Sequence, residues 1–126
     1  MASLDEPVLG RPDAVPSNRL DTFPVEGPLE LVHFRSSELT ALCPVTDQPD
    51  FYTIDIKYVP GAHCIESKSL KLYLRTFDGR GIFAEHLAPE VAGHLAEAVG
   101  VPVTVTLAQQ VRGGIVTMVT ATGSPA

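Results

Sequence analysis

Hydrophobic and polar residues alternate with a period of two in four stretches of the chain, which predicts four β-strands. The clearest stretch is FYTIDIKYVP at 51–60, where every second residue is aliphatic or aromatic. Weaker alternation predicts strands at 29–34, 101–108 and 114–121. The strands therefore form two pairs, one in each half of the chain.

The period changes to 3.6 between these pairs, which predicts two helices. The first begins with Ser67 as its N-terminal cap, or with Ser69 if the helix begins later. Its apolar stripe, spaced i, i+3, i+4 and i+7, consists of Leu70, Tyr73, Leu74 and Phe77. The second helix is predicted from about 85 to 99, and Gly100 suits its C-terminal cap.

The order strand, strand, helix, helix, strand, strand (ββααββ) predicts an α+β fold. Such grouping favours a four-stranded antiparallel sheet covered on one face by two helices. Residues 1–27 are rich in Pro, Asp, Ser and Gly, so we expect a flexible N-terminal arm followed by one domain over 28–126. Residues 35–50 contain two prolines and are predicted to form a long loop.

Composition argues against several classes of protein. The 126 residues carry a net charge of −6, so we expect no direct binding of nucleic acid. No apolar run has the length of a membrane span, and no secretory signal is apparent, so a cytoplasmic protein is expected. In that reducing compartment, Cys43 and Cys64 are expected to be thiols.

Cationic residues are clustered although the chain is acidic. Four of the nine Lys and Arg residues fall between positions 68 and 80: Lys68, Lys71, Arg75 and Arg80. From charge alone, two interpretations stay open. The cluster is either a solvated helix face or a binding site for an anion such as a phosphate group.

Cys43 and Asp50 are candidates for covalent chemistry. Cys43 lies in the stretch CPVTDQPD, which ends at Asp50. A free cysteine is commonly a small buried hydrophobe, and aspartate is common in turns. Alternatively, the Cys43 thiolate is a nucleophile and Asp50 carries the protons that the reaction moves. The pair by itself does not decide between these interpretations.

Three further residues have both a structural and a functional interpretation. Glu66 and Glu85 each precede or begin a helix, where negative charge is stabilising, but carboxylates also accept hydrogen bonds from a guanine-like edge. Arg112 in VRGG belongs to a hairpin turn or contacts a phosphate, with Gly113 allowing close backbone approach. The four histidines lack metal-ligand spacing, so no metal site is expected.

Four motifs occur together in this chain. They are LCPVTDQPDF with Cys43 and Asp50, ESKSLKLYL at 66–74, FAEH with Glu85, and RGGI at 112–115. On these motifs the chain resembles the nitrile reductases of queuosine biosynthesis, the QueF type, in their short single-domain form. The resemblance spans about residues 30–120.

The resemblance implies the tunnelling fold, in which such subunits form rings whose strands build a barrel. Two stacked rings, a decamer, would place the active sites between subunits. The implied activity is NADPH-dependent reduction of 7-cyano-7-deazaguanine to 7-aminomethyl-7-deazaguanine. Cys43 would form a thioimide with the nitrile carbon, and Asp50 would supply protons. The product would serve tRNA modification through queuosine, or a secondary metabolite built on the same deazapurine.

The resemblance also implies binding residues. Substrate contacts are implied for Ile65, Glu66, Ser67, Ala84 and Glu85, and NADPH contacts for Lys68, Ser69, Lys71, Arg112 and Gly113. The family usually has His where this chain has Ala84. Two other functions stay open. One is a relative that forms the thioimide but adds ammonia to give an amidine, and the other is a non-catalytic ring protein that binds a purine or pterin.

Overall fold

The structure, a computed structural model, describes residues 15–126. Its elements in chain order are β1 (Thr22–Pro24), β2 (Val32–Leu42), β3 (Pro49–Tyr58), β4 (His63–Ile65), α1 (Ser67–Leu74), a short 3-10 helix (Arg75–Phe77), α2 (Ala84–Val99), β5 (Val103–Gln109) and β6 (Met118–Gly123). The predicted order of two strands, two helices and two strands is confirmed, and β1 and β4 are additional short strands.

The main sheet is antiparallel, with the strand order β2-β3-β5-β6. In the centre, Ile54 of β3 pairs with Ser36 of β2 and with Leu107 of β5. The inward residues of the sheet and the apolar stripes of both helices form one core. An antiparallel sheet with its helices on one face confirms the predicted α+β class.

β1 and β4 pair antiparallel as a separate two-stranded sheet. The N–H of Glu66 donates to the carbonyl of Asp21 at 2.8 Å, beyond the end of this pairing. Residues 22–24 are therefore a paired strand, where the sequence led us to expect a flexible arm. A three-residue strand is too short to show a period. Residues 1–14 of the predicted arm lie outside the described residues.

The prediction of a long loop over 35–50 is wrong for its first half, because β2 continues to Leu42. The cause is a β-bulge between Ser36 and Leu39, at which β2 has one extra residue relative to β3. Before the bulge Phe34 faces the core, and after it Leu39 does. The bulge moves the inward positions from even to odd residue numbers and so interrupts the alternation that would have identified the strand.

α1 is capped by Glu66 rather than by Ser67 or Ser69. Glu66 has an extended backbone, with φ −81° and ψ 129°, and its carboxylate accepts hydrogen bonds from the N–H groups of Lys68 and Ser69 at 2.7 Å each. Two orphan donors of the first turn are thereby satisfied. Glutamate is an uncommon cap, so the usual cap preferences pointed to the serines that follow it.

α2 ends as predicted at Gly100, which has a left-handed backbone with φ 76°. Arg112 and Ile115 exchange two backbone hydrogen bonds around Gly113 and Gly114, whose φ values of 58° and 77° are those of a tight hairpin turn. The last strand therefore begins after this turn, at Met118. Within residues 15–126, neither helix has the length and apolarity that a membrane crossing needs.

Candidate functional site

Cys43 lies in a turn directly after the last residue of β2. Its N–H donates to the carbonyl of Gln48, and its carbonyl accepts from the N–H of Asp47, both at 2.8 Å. Asp47 has a left-handed backbone, with φ 60°. The two bonds close the turn and leave the thiol half-buried at the end of the strand.

Backbone hydrogen bonds join the end of β2 to the segment that leads into α2. The N–H of Leu42 donates to the carbonyl of Arg80 at 2.9 Å, and its carbonyl accepts from the N–H of Ile82 at 3.1 Å. Ile82 stands two residues before α2, whose first turn contains Glu85. These bonds therefore bring Cys43 and Glu85 to the same end of the sheet, although they are far apart in sequence.

Hydrogen bonds within the turn lower the pKa of the Cys43 thiol below its ordinary value. The largest influence is that of the Thr46 hydroxyl, followed by the backbone N–H groups of Thr46 and Val45. Desolvation and the negative charge of Asp50 act in the opposite direction. A lowered pKa increases the fraction of thiolate, which is the nucleophilic form, so the turn favours a reactive cysteine.

Asp50, in β3, is buried and held by an arginine. The guanidinium of Arg112 lies 2.9 Å from one carboxylate oxygen of Asp50 and donates to the carbonyl of Pro49 at 2.6 Å. Asp50 pairs with Ala41 across β2, two residues before Cys43. The predicted catalytic pair is therefore brought together, and Arg112 lies with it rather than beside the lysines of α1.

Tyr52 belongs to the same group of residues, although the sequence marked it only as part of a strand. Its side chain is 2% exposed, and its hydroxyl has no hydrogen-bond partner among the described residues. Burial raises the pKa of Tyr52 to about 12, and the charges of Asp50, Glu85 and Cys43 contribute in the same direction. One signal was available in the sequence, since Tyr52 follows Asp50 by two positions and therefore lies on the same face of β3.

The remaining predicted residues lie around the start of α1. Lys68 is half-buried, and Ser67 and Lys71 are exposed on the helix surface. Glu66 is buried, and its carboxylate forms the helix cap described above. Ile65 is also buried, and its N–H donates to the hydroxyl of Tyr58 at 2.8 Å. This part of the chain therefore presents two exposed polar side chains above a buried carboxylate.

Two further predicted binding residues, Ser69 and Ala84, are also in the interior. Ser69 is fully buried, and its hydroxyl donates to the carbonyl of Glu66 and accepts from the N–H of Asp21, both at 2.9 Å. A direct contact between Ser69 and NADPH is not available in this conformation. Ala84 is part of the core, while Glu85, the next residue, is exposed, because successive helical positions point in different directions.

A cavity of about 370 Å³ lies between α1 and β2. Apolar side chains of the core line part of it, and the polar lining residues include Ser67, Lys71 and Arg75 from the helix and Arg35 from the strand. Cys43, Asp50 and Glu85 are not among its lining residues. The chain thus presents two candidate regions, a cysteine region at the end of β2 and a lysine region along α1.

Residues 49–125 match the family model described as QueF-like protein. The chain belongs to the QueF-like family. The matched range includes Asp50, Glu66, Glu85 and Arg112 and begins after Cys43. The resemblance that the four motifs indicated is therefore confirmed.

Curated relatives extend over most of the chain. It is 45% identical over 108 residues to the NADPH-dependent 7-cyano-7-deazaguanine reductase of Frankia casuarinae, an alignment that covers 85% of this chain and 86% of the relative. The protein of the same name from Alkalilimnicola ehrlichii is 45% identical over 109 residues, covering 84% of each chain.

A solved structure supports the fold of this QueF-like protein. The crystal structure of the archaeosine synthase QueF-Like in the apo form superposes with a TM-score of 0.71, covering 80% of this chain and 99% of that one. The sequence identity is 22%, so this likeness concerns the fold alone. It confirms the tunnelling fold that the motifs implied.

Proposed function

We propose that this QueF-like protein reduces the nitrile of 7-cyano-7-deazaguanine to an aminomethyl group with two equivalents of NADPH. Its relatives carry that activity in their names, at 45% identity over most of the chain. The observation that carries the proposal is the turn at Cys43, in which a thiol of lowered pKa lies near Asp50, a buried carboxyl that is paired with the half-exposed Arg112. A nucleophile and a positioned carboxyl are what covalent activation of a nitrile needs.

Cys43 and Asp50 would perform the covalent steps. The Cys43 sulfur attacks the nitrile carbon, while Asp50 passes a proton to the nitrogen, and a thioimide results. NADPH, when bound, supplies a hydride to this carbon in each of two reductions. After the first, the carbon–sulfur bond of the thiohemiaminal breaks and returns the thiolate, leaving an imine for the second. Reduction of the imine takes up a second proton, which Asp50 would draw from solvent, and gives the amine. Arg112 would hold the Asp50 carboxyl in orientation throughout.

Glu66 and Glu85 would recognise the deazaguanine through its adjacent N–H and amino groups. Each carboxylate oxygen of Glu66 accepts one backbone N–H, which leaves further acceptor positions on both oxygens. Ser67, exposed beside Glu66, is available for a further contact. Ile65 and Ala84 are buried and would support the two glutamates from behind rather than bind the ligand through polar groups.

The cavity along α1 fits the chemistry of NADPH. Its apolar lining suits a nicotinamide ring, and Lys71, together with the neighbouring Lys68, would bind the phosphates as point charges. Ser69 would stabilise the start of this helix instead of touching the cofactor. We assign Arg112 primarily to Asp50, and Gly113, exposed in the turn beside it, to close backbone approach of the cofactor.

Association between protomers would join the cysteine and lysine regions. β2 and β6 are the edge strands of the main sheet, and each can pair with a neighbouring copy. Val45, Phe51 and Phe83 are exposed apolar residues close in sequence to Cys43, Asp50 and Glu85, and a neighbour would cover them. We therefore propose homo-oligomeric rings, a decamer of two stacked rings, with active sites between subunits.

Purified protein tests the proposal directly. With 7-cyano-7-deazaguanine, NADPH absorbance should fall by two equivalents for each amine formed, and Cys43→Ala should abolish the reaction. Cys64→Ala, which removes the other, buried thiol, is the matched control and should keep it. Without NADPH, mass spectrometry should find the cyano compound attached to Cys43. Folded protein that neither oxidises NADPH nor forms this adduct would rule the function out.

A further inference from the structure

Tyr52 is the one tyrosine of this chain whose hydroxyl lacks a hydrogen bond within the described residues. All three tyrosines are buried. The Tyr58 hydroxyl accepts from the N–H of Ile65 at 2.8 Å, and the Tyr73 hydroxyl bonds with His94 at 2.6 Å. Tyr52 has no partner although it is 2% exposed. Buried polar groups are nearly always paired, so an exception calls for an explanation.

The position of Tyr52 connects it to the cysteine region. In β3, Tyr52 and Asp50 are both buried and are separated by one exposed residue, so their side chains leave the same face of the sheet. Their Cα atoms are about 6.6 Å apart at the usual rise of a strand. A tyrosine side chain that leans along the strand can span that separation. Asp50 is therefore a polar group on the same face of the sheet that the Tyr52 hydroxyl can reach.

The surroundings of the hydroxyl determine what it can do. Among the neighbouring groups that raise its pKa, Asp50 has the largest influence, followed by Glu85 and then Cys43, while Arg112 acts in the opposite direction. A tyrosine with a pKa of about 12 keeps its proton at neutral pH. It is therefore a neutral donor whose electrostatic surroundings include two carboxylates and a thiol.

We propose that Tyr52 is a positioning residue of this site, whose hydroxyl donates a hydrogen bond to Asp50 as that carboxyl gives its proton to the substrate. This inference rests on the proposed function. When the Asp50 proton moves to the nitrile nitrogen, a buried carboxylate is formed beside Arg112, and a second hydrogen-bond donor lowers the cost of burying that charge. Tyr52 keeps its own proton and shares it with the new anion, so no further reactant is needed.

Tyr52→Phe tests the inference because it removes only the oxygen. We expect kcat to fall about ten-fold or more while KM for the cyano compound stays within about two-fold, since Tyr52 does not touch the substrate. Formation of the Cys43 adduct without NADPH should slow in parallel. The matched control is Tyr73→Phe, which removes a buried hydroxyl bonded to His94 and should lower the thermal midpoint without changing kcat.

The outcomes separate this inference from the proposed function. If the wild type reduces the nitrile and Tyr52→Phe has the same kcat and adduct rate, Tyr52 has no positioning role, and removal of an unpaired buried hydroxyl should then raise the thermal midpoint. If the wild type neither reduces nor binds the nitrile, the proposed function fails. In that case the inference, which rests on it, fails with it.

Discussion

The lowered pKa of Cys43 arises from residues that follow it within one turn. The donors that lower its pKa are the Thr46 hydroxyl and the N–H groups of Thr46 and Val45, and the carboxylate of Asp50 works against them. Asp50, the acid that would exchange protons in the reaction, is thus not one of the groups that lower the pKa of the thiol. This division allows Asp50 to remain close to Cys43 without suppressing the thiolate.

Thr46→Val should weaken the nucleophile, because it removes the hydroxyl that has the largest influence on the thiol while keeping the size of the side chain. The pKa of Cys43 should rise, and the rate of its alkylation by iodoacetamide at pH 7 should fall roughly three- to ten-fold. The rate should be followed against pH in a Cys64→Ala background. Thr46→Ser keeps the hydroxyl and should behave like the parent, and an unchanged profile for Thr46→Val would contradict the assignment.

Some single residues could be identified from the sequence and others could not. Cys43, Asp50 and Glu85 were predicted from the motifs, and the structure brings them to one end of the sheet. Tyr52 was missed because tyrosine is an ordinary inward residue of a strand, and only the absence of a partner for its hydroxyl distinguishes it. The motifs predicted that Ser69 contacts the cofactor. The structure instead buries Ser69, whose hydroxyl bonds with Asp21, a residue far away in sequence.

Among the elements, the last strand and α2 approach each other so closely that one position requires glycine. A Cβ atom added at Gly123 would lie 2.3 Å from the carbonyl oxygen of Ala92 and 2.6 Å from the backbone nitrogen of Gly93. Both obstacles are backbone atoms of α2, so a side chain cannot be accommodated by a change of rotamer. The strand and the helix would have to separate.

Gly123→Ala should therefore destabilise the protein by about 1–3 kcal/mol, the usual cost of overpacking. Gly93→Ala is the control, because a Cβ there meets no atom within 4 Å, and replacing a helical glycine should stabilise α2 by up to about 1 kcal/mol. Urea denaturation of both variants gives the comparison. Equal stability of Gly123→Ala and the parent would mean that β6 and α2 are not packed as described.

The predicted bounds of helices and strands agree with the structure where the periodicity along the chain is unbroken. They differ from it where a neighbouring segment interrupts that periodicity. α2 and its cap at Gly100 were predictable from periodicity and one glycine. The prediction ended β2 too early, because the bulge reverses which residues face the core. A bulge is defined relative to the partner strand, so the sequence of β2 alone does not show it. β6 begins later than predicted, because Gly113 and Gly114 form the hairpin turn itself.

At the scale of the whole molecule, one ion pair connects the segment before α2 to the helix. Arg80 forms two hydrogen bonds with the carboxylate of Glu90, and its guanidinium lies 5.5 Å from the centre of the Phe77 ring. The backbone of the same arginine accepts the bond from Leu42 that fixes the end of β2. Hydrogen bonding to Arg80 lowers the pKa of Glu90 below its ordinary value.

The sign of this shift predicts an acid-dependent loss of stability. A carboxyl whose pKa is lower in the folded state stabilises the fold above its ordinary pKa of 4.5, and the contribution is lost as the pH falls through the folded value. Glu90→Gln should therefore be less stable than the parent at pH 7, and the difference should shrink at pH 3. Urea midpoints at both pH values measure this, with Glu30→Gln, at an exposed glutamate, as the control. A difference that is the same at both pH values would contradict the linkage.

Local patterns in the chain were sufficient for the fold class, the family and the chemical identity of the principal residues. Periodicity reports which side of an element faces a core, and the four motifs indicated the family. The pairing of Arg112 with Asp50, the burial of Ser69, the bulge in β2 and the unpartnered hydroxyl of Tyr52 became visible only in three dimensions. Each of these features depends on contacts between residues of separate elements. The periodicity of a single segment carries no information about such contacts.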